Sequence, residues 1–208
     1  MKIIITESQY KKLFKEEKEQ KVLRIPSLKI FDENNVVALN DLQKFLEKKG
    51  NPPYSIGGDL DLRGTPIESL GNLTSVDGDL YLVGTSIKSL GNLQTVGGYL
   101  DLKETQIESL GNLQSVGGNL YLVETPIKFL ENLISVGGNL FLQFTSIESL
   151  GNLTSVGGDL GLHDTSIESL GNLQSVGDTL YLRATPLSKM YTEEQIREMV
   201  DVVGRIYM

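Results

Sequence analysis

The sequence contains no cysteine and no tryptophan, and only one histidine, His163. Without cysteine there is no disulfide framework, zinc–thiolate site or thiol nucleophile. One imidazole rules out a multi-histidine metal site. It leaves His163, with Asp164 beside it, as the sole candidate for histidine-dependent nucleophilic chemistry, and the serines that would complete such an arrangement mostly belong to a repeat. Long apolar runs are missing as well. Ile3 to Ile5 is too short for a signal-peptide core, and no stretch approaches the roughly 20 apolar residues of a membrane span. Positive charge is in deficit, with 19 Lys and Arg against 27 Asp and Glu and a formal net charge of -8. That balance disfavours non-specific attraction to nucleic acid or anionic membrane. The expectation is a cytoplasmic, non-catalytic protein with no metal, no cofactor and no nucleic-acid or membrane partner.

The chain does contain a repeat. From Ile56 the pattern V-G-G-x-L-x-L-x-x-T-x-I-x-S-L-G-N-L-x-S recurs with a period of 20 residues, and a last copy begins at Val176. Leu80 and Leu82 alternate as a strand buried on one face would. Three residues are too few for an independent strand, so equivalent segments must lie side by side in a parallel sheet, each coil burying its leucines against the next. Ile87, Leu90, Leu93 and Val96 would close a narrow apolar core. The rest of each coil is expected to be 3₁₀ turn or irregular extended backbone, and pairs such as Gly97-Gly98 to mark tight bends.

Two polar columns accompany the leucines. Thr65 to Thr185 recur just after the strand, and asparagines recur from Asn72 to Asn172. Both are read as satisfying buried backbone groups, which every coil needs. The carboxylates Asp59, Asp61, Asp79 and Asp101 are candidates for acid–base or calcium chemistry, but are read as surface charge on outward strand positions. The Gly-Gly runs lack the Lys-Ser/Thr of a phosphate loop.

Leu80-Tyr81-Leu82-Val83-Gly84-Thr85-Ser86-Ile87 resembles the strand frame of leucine-rich repeat proteins, in particular the short 20-residue bacterial class, with threonine where that class has asparagine. The Val-Gly-Gly-x-Leu-x-Leu run is similar to receptor L domains, and Met1 to Gln9 is similar to the starts of small phage proteins. The resemblance implies a right-handed solenoid with a parallel sheet.

The expected organisation is a helical cap over 1–55, seven repeats over 56–187, and a C-terminal helix with a closing strand over 188–208. Thr6 with Gln9 would start one helix, running to about Lys21. Val22 to Phe31 would be extended, broken at Pro26. Asn40 with Gln43 would start a second helix, ended by Gly50, with Leu42, Phe45 and Leu46 facing the first coil. Thr192 with Gln195 forms a capping box. Ile196, Met199, Val200 and Val203 would make one apolar face, Gly204 the helix end, and Ile206 to Met208 the closing strand.

Copies differ most on outward strand positions. Tyr81, Tyr99, Asp101, Lys103, Tyr121, Phe141, Gln143, Phe144, His163 and Tyr181 are the candidate binding face, with Tyr99, Tyr121, Phe141 and Phe144 as an exposed aromatic cluster of the kind that anchors protein interfaces. The expected function is protein binding through this face. Two alternatives are a self-associating structural component, phage-encoded in one version, and a carbohydrate-binding solenoid. Phe129 and Ile134 replace polar residues in the fourth copy and are the candidate self-association spot.

Overall fold

The computed structural model describes residues 22–25, 42 and 44–208. Each repeat forms one coil of a parallel β-solenoid. In chain order the strands are β1 (Leu23–Ile25), β2 (Tyr54–Ile56), β3 (Leu60–Asp61), β4 (Leu73–Val76), β5 (Leu80–Tyr81), β6 (Thr95–Val96), β7 (Leu100–Asp101), β8 (Ser115–Val116) and β9 (Leu120–Tyr121). They continue as β10 (Ser135–Val136), β11 (Leu140–Phe141), β12 (Ser155–Val156), β13 (Leu160–Gly161), β14 (Ser175–Val176) and β15 (Leu180–Tyr181), and end with β16 (Asp201–Val202) and β17 (Ile206–Tyr207). Two short helices, α1 (Pro186–Met190) and α2 (Glu193–Met199), lie between β15 and β16.

The strands form two sheets among the described residues: nine strands in the order β1-β2-β4-β6-β8-β10-β12-β14-β16, and eight in the order β17-β15-β13-β11-β9-β7-β5-β3. The first sheet lies where irregular backbone was expected. Its signal, the Ser-Val pair, has one buried residue per coil and shows no alternation for sequence reasoning to detect. On a third side, isolated parallel bridges link Ser89 to Ser109, Phe129 to Ser149 and Ser149 to Ser169.

The core is a stack of identical apolar layers. In one coil Val96, Leu100, Leu102, Ile107, Leu110 and Leu113 are all 0–1% exposed. Each threonine of the column donates its hydroxyl to the carbonyl of the leucine three residues earlier, as from Thr125 Oγ1 to the Leu122 oxygen at 2.7 Å. The asparagine column is exposed rather than buried. It bridges coils from outside, as from Asn92 Nδ2 to Asn72 Oδ1 at 3.1 Å. From the third coil on, the first glycine after the valine is needed for coil-to-coil contact: a Cβ on Gly137 would overlap the Gly117 carbonyl oxygen.

The C-terminal stretch is less helical than the sequence suggests. Thr192 and Gln195 form the expected capping box. Ile196 and Val200 are buried, but Met199 is 48% and Val203 75% exposed, so the four share no buried face. The reason is that the chain turns extended at Val200 and re-enters the first sheet as β16. Gly204 then sits at a coil corner, not a helix end, donating its N–H to the Asp178 carbonyl. Ile206 and Tyr207 pair with Leu180 and Tyr181, as the closing-strand reading anticipates.

Towards the other end, β1 extends the first sheet by pairing Leu23 with Tyr54. Residues 44–48 are helical, ended by Gly50 at φ 80°. Leu46 is buried and Leu42 packs on the core, but Phe45 is 44% exposed, under the Lys49 ammonium. The readings at Thr6, Gln9, Lys21, Pro26, Phe31, Asn40 and Gln43 lie outside the described residues.

Candidate functional site

The eight-stranded sheet places one residue per coil in an in-register outward column: Asp61, Tyr81, Asp101, Tyr121, Phe141, Gly161, Tyr181 and Tyr207. Neighbouring strands are about 4.8 Å apart, close enough for rings in consecutive coils to stack. Tyr121 and Phe141 do so with centroids 5.1 Å apart and planes 19° from parallel. Tyr181 and Tyr207 do so at 5.2 Å and 12°.

The first four coils alternate. Asp61 with Arg63 and Asp101 with Lys103 occupy one set, and Tyr81 with Val83 and Tyr121 with Val123 the other. Each cation serves two neighbours. Arg63 pairs with Asp61 and lies 5.0 Å from the Tyr81 ring centroid. Lys103 pairs with Asp101 at 3.3 Å and lies 4.9 Å from the Tyr121 centroid. A cation over a ring face is attracted by the ring quadrupole. This every-second-coil period was visible in the sequence but is obscured when copies are compared only one coil apart.

The carboxylates have structural roles. Asp61 is 7% exposed rather than surface charge. Burial pushes its carboxyl up, but hydrogen bonds from the Arg63 guanidinium and backbone N–H, with the nearby positive charge, outweigh this and hold it below the usual carboxylate value. Asp59 and Asp79 cap the next coil: Asp59 Oδ1 accepts from the Asp79 N–H at 2.9 Å, and Asp79 Oδ1 from the Tyr99 N–H at 2.7 Å. Asn119, Asn139 and Asp159 continue the ladder. The Tyr81 hydroxyl donates to Asp79 Oδ2 at 2.8 Å, and this bond, with burial and the carboxylate charge, pushes the phenol up to about 12. Among the described residues no three His, Asp or Glu side chains converge as a metal-binding group.

The four aromatics expected to cluster fall into three arrangements. Tyr121 and Phe141 stack. Tyr99, 45% exposed, lies against Gly118. Phe144 meets the His163 ring edge-on at 5.6 Å. His163 Nδ1 is also 3.0 Å from Asp164 Oδ2. Phe144 is 54% exposed and sits at φ 59°, in the left-handed region, at a turn position that the other coils fill with Gly64, Gly84, Glu104, Glu124, Asp164 and Ala184, all at positive φ. That conformation costs a residue with a side chain roughly 1–2 kcal/mol, and five of the seven coils bear it (Glu104, Glu124, Phe144, Asp164 and Ala184), so it belongs to the turn of the repeat.

Gln143 folds its amide over Gly161, the one position in the outward column without a side chain. Its Oε1 is buried with no hydrogen-bond partner. Tyr181 borders a groove with His163, Asp164, Arg183, Ala184 and Tyr207. On another side of the coil, Phe129 and Ile134 are 58% and 47% exposed, and Glu131 takes a φ of 51°, where other coils have glycine. Glu131 accepts from the Ser109 hydroxyl at 2.8 Å.

No helix among the described residues is long and apolar enough to cross a membrane. Comparisons with protein-family models, curated proteins and solved structures find no match.

Proposed function

We propose that this solenoid is a non-catalytic protein-binding module that engages its partner through the eight-stranded sheet. The observation carrying this is the set of aromatic side chains on that sheet, with Tyr121 stacked on Phe141 and Phe144 left 54% exposed against the His163 ring. Aromatic anchors ringed by polar groups are what protein interfaces use, and here the uniform core presents a row of non-uniform side chains. In this reading the fold is a variant of the leucine-rich class, its threonine column replacing the usual asparagine, with helical lids at both ends. Capture from a lysate of the source cells tests it. A protein enriched on the wild type should be lost with Tyr121→Ala/Phe141→Ala and kept with Phe129→Ser/Ile134→Ser. Equal capture by both variants contradicts the proposal.

A second reading, self-association, is favoured by the paired exposure of Phe129 and Ile134. Sedimentation equilibrium across concentration tests it: a mass that rises with concentration, and falls to monomer with Phe129→Ser/Ile134→Ser, supports it. A monomer throughout excludes it.

A further inference from the structure

The outward column holds a stack of rings with one ring missing. Tyr121 and Phe141 stack on one side of Gly161, and Tyr181 and Tyr207 on the other, each pair at about one strand spacing. Phe141 and Tyr181 are therefore two strand spacings apart, roughly 9.6 Å. One further ring at Gly161 would lie near 5 Å from each, within the 4.5–7 Å range of favourable aromatic pairs.

What now covers the gap is not a ring. By the pattern of the earlier coils, the residue after the second leucine leans over the ring of the next coil, as Arg63 does over Tyr81 and Lys103 over Tyr121. Gln143 holds that place and leans over Gly161. Its amide is a poor plug, because its Oε1 is buried without a donor. An unsatisfied buried acceptor favours any occupant that brings an N–H or O–H. The neighbouring charge adds a second criterion. Arg63, Lys103 and His163 each have a carboxylate partner, and Arg205 donates to the Tyr207 hydroxyl. The guanidinium of Arg183, on the groove beside Tyr181, has no hydrogen-bond or ion-pair partner among the described residues.

We infer that the Gly161 gap is a slot for one donor-bearing aromatic side chain, tryptophan or tyrosine, in an acidic segment of a protein partner. The ring completes the stack between Phe141 and Tyr181. Gln143 swings aside and accepts the ring's N–H or O–H on Oε1. A carboxylate next to the ring pairs with Arg183. This rests on the protein-binding reading above and names the chemistry the face selects.

The test is an NMR titration of the full-length, ¹⁵N-labelled chain with the peptide acetyl-Glu-Trp-Glu-amide. Saturable shifts are expected at the Gly161 amide and the Gln143 side-chain amide, with affinity on the order of millimolar for so small a probe. Acetyl-Glu-Ala-Glu-amide and methyl glucopyranoside should leave both signals unmoved, and acetyl-Lys-Trp-Lys-amide should bind several-fold more weakly. Gly161→Tyr supplies the missing ring from the chain itself. Its Cβ would displace only the mobile end of Gln143, and the backbone there is not left-handed. This variant should melt no lower than the wild type and lose the peptide. A surface that merely favours aromatics would instead bind more. Tyr181→Leu, which removes one wall, should also lose the peptide and serves if Gly161→Tyr does not fold.

Absence of shifts at Gly161, equal shifts with the alanine peptide, the pyranoside taking the slot, equal binding of the lysine peptide, or undiminished binding by Gly161→Tyr each overturns the inference. If the peptide fails while capture still depends on Tyr121 and Phe141, the slot is wrong and the binding face stands. If capture is indifferent to both, the face itself is wrong.

Discussion

The ring of Tyr121 stacks on that of Phe141, 5.1 Å away in the next coil, and the Lys103 ammonium lies 4.9 Å from the Tyr121 centroid on the other side. Such a pair contributes about 0.5–1.5 kcal/mol beyond area burial. A double-mutant cycle of Tyr121→Ala and Phe141→Ala in urea unfolding should give a coupling in that range. Additive losses would mean that the rings do not interact.

Phe144 tests whether an exposed ring at the left-handed turn position serves binding. Phe144→Gly should stabilise the chain, by up to about 1 kcal/mol, because glycine adopts the left-handed conformation freely. The same change removes the ring that meets His163 and should weaken partner capture. A destabilised Phe144→Gly would show that the ring is held for packing alone.

The glycines separate into two physical classes. Gly137→Ala drives a Cβ into the Gly117 carbonyl and should cost about 1–3 kcal/mol by overpacking. Gly151 has open space but a φ of +57°, so Gly151→Ala should cost about 1 kcal/mol and Gly151→Asn less. Thermal or urea unfolding of the three variants checks the order.

Acid should expose the Asp61–Arg63 pair. The folded-state pKa of Asp61 lies below its unfolded value, so the native state binds fewer protons and the pair's contribution is present at neutral pH. It is lost as pH falls through the folded value, below the usual carboxylate pKa of about 3.9. Asp61→Asn should therefore melt below the wild type at neutral pH, the gap closing in strong acid. A gap independent of pH would assign the effect to packing.

Much of the fold is legible in the residues themselves. The leucine alternation at Leu80 and Leu82 and the threonine column identify the parallel coil, because only stacking can bury so short a strand. The nine-stranded sheet is not legible, since most of its strands, such as Thr95–Val96, bury one residue each and show no two-residue alternation. The end at Val203 and Gly204 is misread for a related reason. Its apolar spacing suits a helix, but a neighbouring strand edge at Ser175–Val176 competes for the same backbone and wins. At the candidate site, the aromatics are legible as outward residues. The gap at Gly161 is not, because an absent side chain matters only once the rings on either side are known to stack.

Covalent footprinting of surface tyrosines, with and without a captured partner, tests the binding face most directly. Bound partner should protect Tyr121 and Tyr181 from labelling and leave Tyr191 unchanged. Labelling of Tyr121 and Tyr181 that is the same in both states would contradict it.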